Sequence, residues 1–156
     1  MSRFRRDDAP SLVRAARQDA SITQAELAGM TGMSQSTLAQ IESGRRVVSA
    51  ELLERILRAA DYRPSVPLAR YAPSISSYAQ ERGLGSLRVF GSIARGTDGF
   101  DSDIDLIGTP TRDLSLFELA DIASFASELT GFPTEVHADN HVPEALRAAI
   151  DEAVAL

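Results

Sequence analysis

Gly91-Ser92-Ile93-Ala94-Arg95-Gly96, followed after the five residues Thr97 to Asp101 by Ser102-Asp103-Ile104-Asp105-Leu106, is the most informative stretch of this chain. Just before it, Leu87-Arg88-Val89-Phe90 is a short apolar run that predicts a buried strand. At Gly91 and Ser92 the chain is expected to turn, and the missing Cβ of Gly91 lets backbone N–H groups close around a phosphate. Arg95 adds a fixed positive charge, and Gly96 and Gly99 let the segment double back. Alternate side chains of a strand share a face, so Asp103 and Asp105 are expected to point one way while Ile104 and Leu106 face a core. Two carboxylates held so close repel each other unless a cation lies between them. Hard divalent ions that prefer oxygen, Mg²⁺ above all, meet that need. A phosphate cradle beside a carboxylate pair is equipment for phosphoryl or nucleotidyl transfer. The plain alternative is a solvated acidic loop at Asp98, Asp101, Asp103 and Asp105.

The stretch resembles the signature of the minimal nucleotidyltransferases of the polymerase-β superfamily, Gly-Ser-x-Ala-Arg-Gly, a short spacer, then Ser-Asp-x-Asp-Leu. Every fixed position of that signature is present. The resemblance implies that Asp103 and Asp105 bind metal, and that Gly91, Ser92 and Arg95 bind the phosphates of a nucleotide. For Arg95 a salt bridge to Asp101 or Asp98 is the competing expectation.

Bulk properties bound the rest. The chain has 156 residues, room for one ordinary domain or two very small ones, and 44% hydrophobic content suffices for a packed core. It has no cysteine, which excludes disulfides and thiolate metal sites and fits a reducing compartment. No apolar run is long enough for a membrane span, and the charged stretch Met1 to Asp8 lacks the apolar region of a signal peptide. A soluble, cytoplasmic protein is expected. The net charge of −6 is unevenly spread: residues 1–70 carry 11 Arg against 8 acids, and residues 71–156 carry 5 Arg against 14 acids. The halves differ in kind, so the acidic total does not argue against nucleic-acid binding by the first. All the basic side chains apart from two histidines are arginines, since lysine is absent.

Between Ser11 and Ala60 apolar residues recur at helical spacing between short turn signals. Pro10 opens a first helix with Leu12, Val13 and Ala16 inward. Thr23 with Glu26 three residues on reads as a capping box for a second helix, Gln24 to about Gly32. Ser34 caps a third, Gln35 to Glu42, stopped by Gly44, and Ser49 caps a fourth that ends before Pro64. The segment Thr23-Gln24-Ala25-Glu26-Leu27-Ala28, then Gly32 through Arg46, resembles the repressor-type (Cro/C1, or XRE) helix-turn-helix family over residues 10–64. That resemblance implies a recognition helix at Gln35–Glu42 whose N-terminal end enters the major groove. Ser34, Gln35, Ser36, Thr37 and Gln40 then lie at the DNA, with Gln35, Ser36 and Gln40 the candidate base readers. Gln24, Arg45 and Arg46 would contact phosphate. A solvated position is the alternative for Gln40, and an ion pair with Glu42 the alternative for Arg46. Such modules act as symmetric dimers on inverted repeats, so a homodimer is expected.

The fold class is therefore two small domains: an all-α helix-turn-helix domain at residues 8–64, and an α/β (α+β) polymerase-β-type nucleotidyltransferase domain at residues 75–156. Pro64, Pro67 and Pro73 mark residues 65–74 as a stiffened linker. In the second domain Ile75–Arg82 reads as a short helix, Leu114–Thr130 as an amphipathic one, Pro133–Ala138 as a third strand, and Pro143 to about Val154 as a last helix. Enzymes of the superfamily carry a third carboxylate on the strand after the long helix, commonly Asp. Glu135, in Thr134-Glu135-Val136-His137, occupies that place here and is implied to be catalytic and a metal ligand, with the extra methylene as a departure from the pattern. His137 and His141 either touch the nucleotide or sit at the surface.

Together the resemblances imply a bacterial antitoxin of a toxin–antitoxin system. It would bind operator DNA and neutralise a co-encoded toxin protein by Mg²⁺-dependent nucleotidyl transfer at a two-metal site, with ATP the expected nucleotide and AMP the group transferred. The alternatives are a non-catalytic repressor whose second domain only binds toxin or nucleotide, a small-molecule nucleotidyltransferase, and a tRNA-modifying toxin. The short second domain disfavours the small-molecule enzyme, and its acidity the tRNA-modifying toxin.

Overall fold

The computed structural model describes residues 2–156. Hydroxyl caps and apolar periodicity lay out the first half as the sequence predicts. Helix α1 (Ala9–Asp19) buries Val13 and Ala16, and helices α2 (Gln24–Thr31), α3 (Gln35–Glu42) and α4 (Ala50–Ala59) close around them through Leu27, Leu38, Ile41, Leu53, Ile56 and Leu57. The capping box is formed: Thr23 Oγ1 accepts the Glu26 N–H, and the Glu26 carboxylate accepts the Thr23 N–H at 2.7 Å.

The predicted linker is not one. Residues 65–74 are the first half of helix α5 (Ser65–Glu81), which contains both Pro67 and Pro73. Pro67 falls in the first turn, where no intrahelical N–H is needed. Pro73 does remove one interior bond, and the helix persists because Leu68, Ile75 and Ala79 are buried along it. The expected short helix Ile75–Arg82 is its second half.

Next come strand β1 (Leu84–Phe90), a one-turn helix α6 (Gly91–Arg95), strand β2 (Ile104–Pro110), helix α7 (Leu116–Thr130) and strand β3 (Thr134–Ala138). The Gly91-Ser92 turn is thus the opening of a helix rather than a loop. The single last helix predicted from Pro143 is instead a 3-10 turn at Glu144–Leu146, helix α8 (Arg147–Ile150) and strand β4 (Val154–Ala155). Four residues of α8 are too few for a stable amphipathic stripe, and Val154 finds a partner strand instead. The sheet order is β3-β2-β1-β4, with β2 and β3 parallel and the other pairs antiparallel. Helix α5 packs on β1, and α7 on β3.

The two halves share one core. Phe4, Tyr62, Phe100 and Phe132 cluster in edge-to-face and tilted pairs, with Phe4 and Phe132 centroids 5.6 Å apart. The Arg3 guanidinium lies 4.7 Å from the Phe100 ring centre and 4.8 Å from that of Phe132, and it donates to the carbonyls of Gly131 and Phe100. At Gly131, φ is +79° and an added Cβ would lie 2.6 Å from the Phe4 ring, so only glycine lets Phe4 in.

Candidate functional site

Antiparallel pairing sets Phe90 opposite Asp105, and parallel pairing sets Asp105 opposite Glu135. Side chains directly across neighbouring strands lie on one face. The sheet therefore carries Asp105 and Glu135 side by side, with Asp103 two residues before Asp105. Ile104 and Leu106 are fully buried on the other face, as the alternation predicts. Asp105 is half-buried, while Asp103 and Glu135 are exposed.

Gly91 fixes how Asp105 sits. It has φ +72°, and a Cβ there would lie 2.5 Å from Asp105 Oδ2. The first residue of the Gly-Ser turn and the second carboxylate of the Asp pair thus touch, which the sequence spacing alone does not show. Burial, and then the charges of Glu135 and Asp103, push the Asp105 carboxyl above its ordinary range, with His137 and Arg95 pulling weakly the other way. The carboxylates repel each other, which is the electrostatic state that a divalent cation relieves. The donor set is all oxygen, as Mg²⁺ requires, although among the described residues no three His, Asp or Glu side chains converge closely enough to hold an ion as they stand.

Arg95 pairs with neither expected acid. Its guanidinium is 3.7 Å from Glu152, while Asp101 takes Arg58 at 2.8 Å and Asp98 accepts the Ser65 N–H at 2.9 Å. His137 is packed 5.9 Å from the Phe90 ring, with Nε2 3.6 Å from the Glu135 carboxylate, and His141 is exposed.

The spacer between the two motif halves is held by the first domain. Asp98, 6% exposed, accepts the N–H of Ser65 at the start of α5 and has Arg63 at 3.9 Å. Asp61, just past α4, accepts the Phe100 N–H at 2.9 Å. No helix or strand signal points to these contacts, because they join residues 33 and 39 positions apart.

In the helical half, the N-terminal turn of α3 gathers the predicted DNA residues. Ser34 Oγ accepts the Thr37 N–H and lies within 3.0 Å of the Ser36 and Thr37 hydroxyls. Gln35 donates to Gln24 Oε1 at 2.9 Å, and Gln24 in turn donates to Glu42 Oε2 at 3.0 Å. Glu42 is 4% exposed and receives Arg17 through two bonds of 2.6 and 3.1 Å. Sequence reasoning missed this buried Glu42, which orients both glutamines. The alternative of an Arg46–Glu42 pair is overturned, because Arg17 holds that carboxylate. Gln40, Arg45 and Arg46 are exposed, and among the described residues neither arginine makes a side-chain hydrogen bond or ion pair. Their side chains face solvent beside the α3 end of the domain.

Comparison with known families agrees with both halves. Residues 74–154 match the model described as a nucleotidyltransferase domain. The chain belongs to the nucleotidyltransferase domain family. Residues 13–66 match a helix-turn-helix model, so this nucleotidyltransferase-family chain joins an XRE-type DNA-binding domain to a minimal nucleotidyltransferase fold. It is similar to a solved structure described as a minimal nucleotidyltransferase, at 28% identity and a TM-score of 0.50, over 57% of this chain and 92% of that one. No curated protein matches. Among the described residues, no helix is long and apolar enough to cross a membrane.

Proposed function

We infer that the chain is a DNA-binding regulator whose second domain transfers a nucleotidyl group to a partner protein, in the manner of an antitoxin acting on a co-encoded toxin. The contact of Gly91 with Asp105, inside the shared Gly-Ser and Asp-x-Asp signature, carries this reading. Gly91 and Ser92 would take the β and γ phosphates of a nucleoside triphosphate, with ATP the expected one, and Arg95 would help to neutralise them once freed from Glu152. Asp103, Asp105 and Glu135 would hold Mg²⁺, which supplies charge neutralisation and lowers the pKa of an acceptor hydroxyl. Glu135 takes that hydroxyl's proton as the oxygen bonds to the α-phosphorus and the bond to the pyrophosphate oxygen breaks. The Gln35, Ser36 and Gln40 side chains would read operator bases, with Gln24, Ser34, Thr37, Arg45 and Arg46 positioning the helix on the backbone.

The test incubates the chain with labelled ATP, Mg²⁺ and the co-encoded protein, beside an Asp103→Ala/Asp105→Ala variant. Label on the partner, lost in the variant, is the expected result. The extra methylene of Glu135, at the place where the family pattern has aspartate, favours a second reading, in which the domain only binds nucleotide or partner. Unlabelled partner in a complex that survives the double substitution would establish that reading instead.

A further inference from the structure

Asp103 and Asp105 are fixed in different ways. Asp105 lies within the β2 ladder and against Gly91, whereas Asp103 precedes the first residue of that strand and is exposed. With no ladder and little packing of its own, Asp103 is placed by whatever holds the chain just before it. That chain is the spacer, and Asp98, Phe100 and Asp101 within it are each held by residues 58–65 of the helical half.

The hold is reciprocal. From the first domain, the Asp61 carboxylate accepts the Phe100 N–H at 2.9 Å, and a Cβ on Gly99 would lie 3.2 Å from the same Asp61 oxygen. Arg58 donates to both oxygens of Asp101 at 2.8 and 3.0 Å, with its guanidinium 4.4 Å from the Phe100 ring centre. From the second domain, buried Asp98 accepts the Ser65 N–H at 2.9 Å and so caps α5, whose own N-cap residue, Pro64, supplies no side-chain acceptor.

Asp61 itself stands just past α4 at φ +49°, a conformation that glycine or asparagine adopts with least strain. It bonds back to its own helix through the backbone, by its N–H to the Arg58 carbonyl, and its carboxylate is spent across the junction instead. Between Phe100 and Asp103 the chain is a closed turn. The Ser102 N–H donates to the Gly99 carbonyl at 2.9 Å, and the Gly99 N–H to the Ser102 hydroxyl at 3.0 Å. A turn bonded at both ends moves as a unit, so a displacement of Phe100 is passed on to Asp103 rather than absorbed.

We propose that Asp61, seconded by Arg58, is a positioning residue for Asp103, a role that rests on the nucleotide site inferred above. The DNA-binding half then does more than share a chain with the second domain: it sets one of the carboxylates that would hold Mg²⁺ and nucleotide. Groups that orient a metal-binding side chain typically change affinity by roughly 10- to 100-fold when they are lost.

Binding of an ATP analogue with a methylene between the α and β phosphorus atoms, by the full chain with Mg²⁺ and then with EDTA, tests this. Asp61→Gly and Asp61→Asn both suit the left-handed backbone, and only asparagine keeps an acceptor for the Phe100 N–H. Asp61→Gly should weaken the Mg²⁺-dependent binding roughly tenfold while circular dichroism and DNA binding stay as in the wild type. Asp61→Asn should bind the analogue as the wild type does. In an Asp103→Asn background the two Asp61 variants should no longer differ, because a residue that acts through Asp103 has nothing left to position. Wild-type affinity in Asp61→Gly overturns the proposal and leaves the nucleotide site standing. A loss of the same size in the Asp103→Asn background overturns it too, in favour of a general loosening of the domain. A wild-type chain that binds no analogue removes the nucleotide site and this role with it.

Discussion

At the scale of single residues, Gly91 and Asp105 constrain each other. Gly91→Ala brings both a strained φ and a Cβ that displaces the Asp105 carboxylate, so the nucleotidyl transfer proposed above should fall by on the order of 10²-fold while DNA binding is kept. Assays of the two activities on one preparation check this. Asp105 makes a second point. Its folded pKa is raised above the unfolded value, so the native state holds its proton more tightly, and stability falls as pH rises through that window. Asp105→Asn should therefore raise the melting temperature at neutral pH, with the gain vanishing below the ordinary Asp range, where the carboxyl is protonated in both states. Thermal melts at the two pH values decide it. Glu42 acts through other side chains: Glu42→Ala leaves Arg17 and Gln24 without their shared acceptor and should cost about 2–3 kcal/mol. Urea unfolding measures that loss, and a relaxed operator preference in the same variant would report the freed Gln24 and Gln35.

At the scale of elements, the sequence was most legible where a local signal closes on itself. The Thr23–Glu26 capping box, Ser34 before α3 and the alternation Asp103-Ile104-Asp105-Leu106 all bind or bury residues within a few positions, and all appear as read. Ser115 closes in the same local way, although the expected helix began one residue earlier, at Leu114: its hydroxyl caps α7 and its N–H and hydroxyl bind Glu118, which Arg112 and this cap hold at a pKa of about 2. Ser115→Ala should destabilise the chain by about 1 kcal/mol in chemical denaturation. The first half of helix α5 was illegible for the opposite reason. Pro64, Pro67 and Pro73 speak locally for a linker, whereas Leu68, Ile75 and Ala79 are paid back by a sheet and by α7, which lie later in the chain. Two features of the site were hidden in the same way. The Asp105–Glu135 adjacency comes from strand order, and the anchoring of the spacer by Asp61 and Ser65 comes from docking of the two halves.

At the scale of the whole molecule, the shared aromatic cluster makes the two halves one cooperative body. Probes of the helical half and of the sheet should therefore report a single coincident unfolding transition, and Phe4→Ala should lower both together by about 3–5 kcal/mol. Separate transitions in the wild-type chain would contradict that. The same cluster has a consequence for the order in which the protein is made. Arg3 bonds to Gly131, 128 residues further along, and Phe4 rests on Phe132 beside it. On the ribosome the helical half can assemble as its residues emerge. Its Arg3-Phe4 segment has Tyr62 to rest on first, then Phe100, and finds Gly131 and Phe132 only once α7 has been synthesised and turned back. The aromatic cluster is thus closed last, by a segment made well before its final partners.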